Sequence, residues 1–247
     1  MPPTYAAFTE EEHRERLRQA RAVLTRCGIR CCICVAPEHL NYFGGYDSWV
    51  SANSPQALIF TINDDEPTLV VRDVDIALPR ESCWIRDVRS YHLFSEDVTS
   101  VIASIAAEKG CHGGKVAVET QSYALPYALG VALAGALAPA EIVDATVLLG
   151  EMRLVKSPQE MRYIRTAAQF AELGLRAARR TLKPGLTEIA LAAAVEGAMR
   201  TAGSDYWSIP TELASGVRTP GGHATPIDRV IEAGDLVPDV VDSADDF

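Results

Sequence analysis

The stretch Gly150-Glu-Met-Arg-Leu-Val-Lys-Ser-Pro-Gln-Glu-Met-Arg-Tyr-Ile-Arg-Thr-Ala167 separates two halves of the chain that are organised differently. Within it, Ser157, Pro158 and Glu160 stand at the N-cap, N1 and N3 positions of a helix. Each of these residue types stabilises a helix start at its position. A new helix therefore begins here, and we place a domain boundary near residues 145–157.

Downstream of this boundary, the helix is predicted to continue to the stop signal at 183–185. Thr187 is predicted to cap a second helix. Strands are expected at 206–214 and 229–237, on either side of the glycine-rich loop 215–226. Apolar residues recur along the first helix at spacings of three and four, which predicts one buried face. They are Met161, Ile164, Ala168, Ala171, Leu175, Ala178 and Leu182.

Upstream of the boundary, helix and strand patterns alternate, which is typical of an α/β (α+β) protein. A helix is predicted from the Thr9 cap to Gly28, and the polar run 63–67 is predicted to be a hairpin loop. The remaining predicted elements are helices over 37–43, 96–109 and 124–137 and strands over 29–36, 56–62, 68–72, 83–91, 115–119 and 141–145.

Charge excludes some classes of partner. The chain of 247 residues carries 33 acidic and 23 basic side chains, a formal net charge of −10. It has no basic stripe that could neutralise phosphates, so we expect no nucleic-acid partner. The stretch 120–140 is uncharged, but prolines and glycines interrupt it. We interpret it as a buried helix of an α/β domain and expect no membrane contact.

Cys31, Cys32 and Cys34 lie in an apolar run that is predicted to be a buried strand. Successive strand residues point to opposite faces, so these thiols cannot converge on one metal ion. We interpret them as core thiols in a reducing compartment. The first residues lack the pattern of a secretory signal, and we expect a cytoplasmic protein.

His223 is the predicted catalytic residue, because it lies in a loop of glycines and prolines between two predicted strands. Histidine changes its charge near neutral pH, which suits proton transfer. A metal site needs three or four converging ligands. The acids that follow this loop are Asp235, Asp239, Asp242, Asp245 and Asp246. We interpret them as a solvated acidic end and predict no metal ligand from their spacing.

The stretch 150–167 resembles the linker and first catalytic helix of the creatinase/prolidase/aminopeptidase P family, whose M24-type catalytic domain has a "pita-bread" fold. Shorter motifs that are similar to those of the family stand at 41–46, 182–188, 214–216, 223–226 and 234–237. The resemblance implies a creatinase-type N-terminal α/β domain over 1–150 and an incomplete pita-bread domain over 151–247.

The resemblance also implies a chemistry: metal-dependent hydrolysis of a C–N bond in a short peptide or other small molecule. In complete members, two aspartates, a histidine and two glutamates hold two divalent metal ions such as Mn, Co or Zn, and homodimers are common. His223 matches the family histidine that contacts substrate and stabilises or shuttles a proton. In the creatinase branch, that histidine acts as a base without metal.

The resemblance ends before the metal site. The first aspartate ligand of the family would fall at Val240, and the neighbouring Asp239 and Asp242 are out of register. A shift of one residue turns a strand side chain to the opposite face. The other ligands would come after Phe247. We therefore expect a C-terminally truncated chain that holds no metal cofactor and is inactive by itself.

Three interpretations of the function stay open at this point. The chain is a portion of an Xaa-Pro dipeptidase-like hydrolase, a portion of a creatinase- or ectoine-hydrolase-like enzyme for small molecules, or a non-catalytic binding or dimerisation module of the same fold. The segment 44–56 favours the small-molecule branch, in which N-terminal domains reach the pocket of the neighbouring subunit.

Overall fold

The computed structural model describes residues 5–47, 55–63, 66–111, 113–206 and 208–240. The chain divides into two compact units, Met1–Val155 and Lys156–Phe247. Part of the segment 44–56 and the acidic end after residue 240 lie outside the described residues.

The centre of the first unit is a mixed sheet of six strands. They are β1 (Ile29–Cys34), β2 (Ala57–Thr61), β3 (Thr68–Arg72), β4 (Asp87–Tyr91), β5 (Lys115–Val118) and β6 (Glu141–Asp144). Their spatial order is β4-β3-β2-β1-β5-β6. The pairs β1–β2 and β2–β3 are antiparallel, and the other neighbours are parallel. The predicted hairpin and the predicted α/β class are therefore confirmed.

Two apolar cores lie on the two faces of this sheet. The described helices of the unit are α1 (Glu10–Arg26), α2 (Pro37–Gly44), α3 (Pro79–Ser82), α4 (Val98–Glu108), α5 (Tyr127–Ala136) and α6 (Thr146–Met152). Cys32 and Cys34 pack into the core shared with α1 and α2, and Cys31 packs into the core shared with α4. All three thiols are buried and free, which confirms the prediction of core thiols. Burial raises the pKa of the Cys34 thiol, so this thiol stays protonated and unreactive.

The uncharged stretch 120–140 forms α5 and its adjoining turns. Among the described residues, no helix combines the length and the apolar composition that a membrane span requires. The expectation of a buried helix is wrong, because the unit covers only one side of α5. Leu133 is the one residue of this fully described helix that is buried, whereas Tyr127 and Val131 are exposed.

A buried carboxylate fastens the end of β5 to the start of α2. Glu119 directly follows β5, and its Oε2 accepts hydrogen bonds from the backbone N–H groups of Val35 (2.6 Å) and Ala36 (2.9 Å). Its Oε1 pairs with Nδ1 of His39 on α2. Both side chains are almost wholly buried. Unpaired carboxylates are costly in such surroundings, so these donors fix the position of α2 relative to the parallel strands β1 and β5.

The second unit begins with two packed helices, α7 (Pro158–Thr181) and α8 (Glu188–Ala202). The Ser157 side chain accepts from the backbone N–H of Glu160, and the Glu160 side chain accepts from the backbone N–H of Ser157. The predicted helix start is therefore confirmed as a full capping box. The core of this unit contains Ala178, Leu191, Val195, Met199, Leu213 and Ile231.

The predicted buried face of α7 is largely wrong. Ile164, Leu175 and Leu182 are exposed, each by 37–41%. Ala178 is the predicted position that is buried, and the other buried positions towards the C-terminal end of α7 are Gly174 and Ala177. Small residues let two helices approach closely, and the packing between α7 and α8 uses that side rather than the larger aliphatic side.

The two strands predicted around the glycine-rich loop are also largely wrong. The structure has two short strands, β7 (Glu212–Leu213) and β8 (Asp239–Val240), which pair antiparallel. Within 229–237, Val230 makes one isolated bridge to Thr187. This segment turns rather than extends, because Gly234 adopts φ 93° and Asp235 accepts from the backbone N–H of Glu232.

We predict that Glu119→Ala lowers the free energy of unfolding by about 3 kcal/mol or more, because it leaves buried donors unpaired. Urea denaturation of the full chain measures this change. The matched control is Glu108→Ala, which removes a half-exposed ion pair with Arg89 and should cost less than about 1 kcal/mol. Equal losses for the two variants would contradict the role of Glu119.

We predict that the stability contributed by the N-cap residue of α4, Asp97, depends on pH. Hydrogen bonds from Ser100 and Thr99 lower the pKa of the Asp97 cap to about 2. The ionised Asp97 side chain therefore stabilises the folded chain fully at pH values above the usual pKa of an aspartate. This stabilisation is lost as the pH falls through the lowered pKa of about 2. Asp97→Ala should cost about 1 kcal/mol at pH 6, and this difference should shrink towards pH 2.

Denaturation of Asp97→Ala and wild type across this pH range measures the difference. Thr9→Ala removes the equivalent cap of α1, where a hydroxyl without charge accepts from Glu12. The stability difference for that control should not shrink with pH. A constant difference for Asp97→Ala would show that the charge of the cap is irrelevant.

Candidate functional site

The candidate site is centred on His223, which the loop after β7 holds in a strained conformation. Its φ of 62° makes it the one non-glycine residue with positive φ among those that the structure describes. A left-handed histidine costs of order 1–3 kcal/mol, and such strain often accompanies functional positions. A backbone hydrogen bond of 2.9 Å from Leu213 N–H to the Ala224 carbonyl fastens the loop to β7.

A glutamate orients the His223 ring. Nδ1 of His223 lies 2.8 Å from Oε1 of Glu212 on β7. The histidine side chain is 86% exposed, and Glu212 is 19% exposed. When Nδ1–H donates to the carboxylate, Nε2 of the neutral ring carries a lone pair directed away from Glu212. The arrangement can accept or donate one proton at Nε2.

The loop that carries His223 is braced by a second, wholly buried glutamate at the start of α8. Glu188 accepts from the Ser215 hydroxyl (2.7 Å) and from the Ile227 backbone N–H (3.1 Å). Arg218 forms an ion pair with the same carboxylate. Burial by itself would raise the pKa of Glu188, but these donors more than offset it, so the pKa lies below its usual value. Glu188 is therefore ionised at neutral pH.

An ion pair closes the far side of the loop. Arg229 contacts Asp235 at 2.6 and 3.2 Å and also donates to the Ser215 hydroxyl at 2.5 Å. The hydrogen bond from Arg229 lowers the pKa of Asp235. Asp235 thus serves the structure of the loop, and the interpretation of this residue as part of a solvated acidic end is wrong.

The described residues do not assemble the metal site of the family. Within the described ranges, no group of three or more His, Cys, Asp or Glu side chains stands together in a way that could hold a metal ion. Asp242, Asp245 and Asp246 lie outside those ranges. Glu212 is the acidic partner that the structure brings to His223.

Sequence reasoning singled out His223 but missed the residues that hold it. Ser215 and Arg218 are 27 and 30 residues from Glu188, a separation that no local pattern reports. One signal was available: Arg218 stands in a loop rich in glycine and proline with no acidic residue within five positions on either side, so its charge requires a partner from farther away.

We predict that Gly216→Ala disrupts the ion pair between Arg229 and Asp235 that holds the His223 loop. Gly216 adopts φ 55°, and a Cβ atom there would collide with the Asp235 carboxylate and lie 2.6 Å from an Arg229 nitrogen. The strain and the displaced ion pair should cost about 2 kcal/mol and accelerate amide exchange at Glu232. Hydrogen exchange and thermal melting measure the two effects.

Gly222→Ala is the matched control, because a Cβ atom at Gly222 meets nothing within 4 Å. It should leave both measurements close to wild type. Normal exchange at Glu232 in Gly216→Ala would show that the ion pair does not hold the loop.

Two family models match the chain. The Creatinase/Prolidase N-terminal domain matches residues 16–155, and Metallopeptidase family M24 matches residues 162–240. Members of the second family are generally dependent on divalent metals.

The chain is also similar to individual proteins. It is 37% identical to an uncharacterized peptidase of Bacillus subtilis over 101 residues, which is 41% of this chain and 29% of that protein. It is 25% identical to the ectoine hydrolase of Halomonas elongata over 92% of this chain and 61% of that protein. The crystal structure of the prolidase from Pyrococcus horikoshii has the same fold, with a TM-score of 0.77 and 22% identity over 93% of this chain and 60% of that one.

The ectoine hydrolase and prolidase matches cover this chain nearly end to end, yet it spans only about 60% of their length. The match to the N-terminal domain model extends over more than half of the chain, and the M24 model follows it in the second unit. The chain therefore belongs to the creatinase/prolidase family, as its motifs predict.

Proposed function

We propose that this chain contributes the substrate-contacting His223 loop to an M24-type hydrolase that cleaves C–N bonds in short peptides, of the Xaa-Pro dipeptidase kind. The observation that carries the proposal is the pairing of a strained, solvent-facing histidine with Glu212. Sequence similarity to the Xaa-Pro dipeptidase of Pyrococcus horikoshii, 34% identical over 90 residues, supports the peptide substrate class.

In this proposal, His223 is the residue that touches the substrate. Glu212 holds Nδ1, and Nε2 then donates to or accepts from a polar atom of the substrate near the scissile bond. The Glu188 network supports this role because a proton carrier must be held in place to be effective. His223 is the catalytic residue, whereas Glu212 and Glu188 are positioning residues.

The metal chemistry of the family lies outside what the described residues can supply. In M24 enzymes, divalent ions such as Mn, Co or Zn activate water and polarise the scissile carbonyl. Because the described residues do not assemble a ligand cluster, we propose that the 247-residue chain does not turn over substrate by itself. Its coverage of about 60% of its relatives supports the same proposal.

A small-molecule hydrolase is the second candidate. The near end-to-end similarity to ectoine hydrolase favours it, because that similarity includes both units of the chain. The same His223 and Glu212 arrangement would serve this substrate class. Measuring which compound binds therefore distinguishes the two candidates.

Binding at His223 tests the proposal without requiring turnover. In imidazole-detected NMR titrations of the full chain with Ala-Pro, ectoine and creatine, the His223 signals should shift with Ala-Pro. The His223 signals are identified as those that are missing from the spectrum of the His223→Asn variant. His92, whose side chain is 58% exposed, is the internal control and should not shift. A response to ectoine or creatine alone would replace the first candidate by the second, and no response at His223 would contradict both.

An activity assay tests the remaining part of the proposal. The 247-residue chain is incubated with Mn²⁺, Co²⁺ or Zn²⁺ and each of the three substrates, and product is measured. We expect no product above the protein-free background. Turnover that depends on added metal would contradict the proposed inactivity of the chain.

A further inference from the structure

The ion pairs of the segment after β7 engage both of its arginines. Arg218 pairs with the carboxylate of Glu188, and Arg229 pairs with that of Asp235. Residues 208–240 contain no lysine and no other arginine. The segment therefore has no basic side chain left to neutralise a further acid.

Glu212 on β7 is an acid of the site that no Lys or Arg of the described residues neutralises. Its one side-chain hydrogen bond within those ranges is the contact of 2.8 Å between its Oε1 and Nδ1 of His223. Its Oε2 reaches the surface, although the side chain as a whole is only 19% exposed. A charge held in such a partly buried position is screened less than one on an open surface. Glu212 can therefore bind a cation that comes from outside the chain.

The free atoms of this pair are suitably spaced for a dipeptide. Nε2 of His223 and Oε2 of Glu212 are separated by one imidazole ring, one hydrogen bond and one carboxyl carbon, a span of roughly 5–7 Å. In a dipeptide, one Cα atom and one carbonyl carbon separate the α-ammonium group from the nitrogen of the scissile amide. A polar atom of that amide can therefore contact Nε2 while the ammonium group contacts Oε2.

We propose that Glu212 is a specificity-determining residue, whose Oε2 binds the α-ammonium group of a dipeptide next to the bond that His223 contacts. The inference rests on the proposed function, since it places the same histidine on the substrate. The ammonium group donates to Oε2 while Oε1 still accepts from Nδ1–H of His223. Hydrogen bonds between charged groups are about twice as strong as those between neutral ones. The site thus selects peptides with a free N-terminus over those without an amino group.

Two ligands that differ in one group test the proposal. They are Ala-Pro and propionyl-proline, which is Ala-Pro with a hydrogen atom in place of the α-ammonium group. The affinity of each for the full chain is measured at pH 7 by titration of the His223 imidazole signals in NMR spectra. Wild type should bind Ala-Pro at least about tenfold more tightly, because only that ligand pairs with Glu212.

A charge-removing variant assigns this preference to its residue. Glu212→Gln keeps an amide oxygen that accepts from Nδ1–H of His223 but removes the negative charge. It should bring the two affinities within about threefold of each other. Glu196→Gln is the matched control, because Glu196 accepts from the Thr211 hydroxyl at 2.6 Å rather than from His223. It should keep the wild-type ratio, and a ratio that also persists in Glu212→Gln would overturn the proposal.

A second measurement needs no variant and keeps the proposal testable if Glu212→Gln misfolds. At about pH 9.5 the amino group of Ala-Pro is uncharged, whereas the carboxylates and arginines of the loop keep their charges. The preference of wild type for Ala-Pro should therefore disappear, while the affinity for propionyl-proline stays within about threefold of its value at pH 7. A preference that persists at pH 9.5 would overturn the proposal.

The two ligands also separate this inference from the function on which it rests. Equal affinities in wild type at pH 7, with His223 signals that shift for both ligands, would overturn the role of Glu212 and leave the proposed function standing. No shift of the His223 signals with either ligand would contradict the dipeptide as the substrate, and this inference with it.

Discussion

Glu188 is wholly buried at the start of α8, and the donors that meet its carboxylate come from the segment 215–227, which carries His223. A buried carboxylate without donors would cost several kcal/mol, so this segment must fold back onto α8. Once it does, Ser215 also meets Arg229, and Arg229 meets Asp235. The conformation of the loop thus follows from the need to satisfy one charge.

The same constraint organises the first unit. Glu119 is buried at the end of β5, and its donors come from the turn between β1 and α2 and from His39 on α2. Apolar packing on both faces supplies most of the driving force for this sheet, but it does not by itself determine where α2 stands. The carboxylate specifies that position. Each unit therefore contains one buried acid whose partners lie far away in sequence.

The accuracy of the sequence-based expectations follows this division between local and distant interactions. The Ser157 capping box and the alternating thiols of β1 were predictable, because each depends on residues within a few positions. The buried face of α7 was not, since its C-terminal half buries the small residues Gly174, Ala177 and Ala178, and Ala178 packs with α8 residues, whereas the larger aliphatic side chains stay exposed. The partners of His223 and Glu188 were not predictable either, because pairing across 11 residues for His223, or across 27 and 30 residues for Glu188, leaves no periodic signal.

We propose that the loop held by Glu188 presents His223 to a substrate. A crystal structure of the full chain soaked with an Xaa-Pro dipeptide tests this role. We expect dipeptide density with a polar atom within about 3.2 Å of Nε2 of His223, while Nδ1 remains on Glu212. Dipeptide bound only elsewhere, or a His223 ring turned away from Glu212 towards solvent, would contradict it.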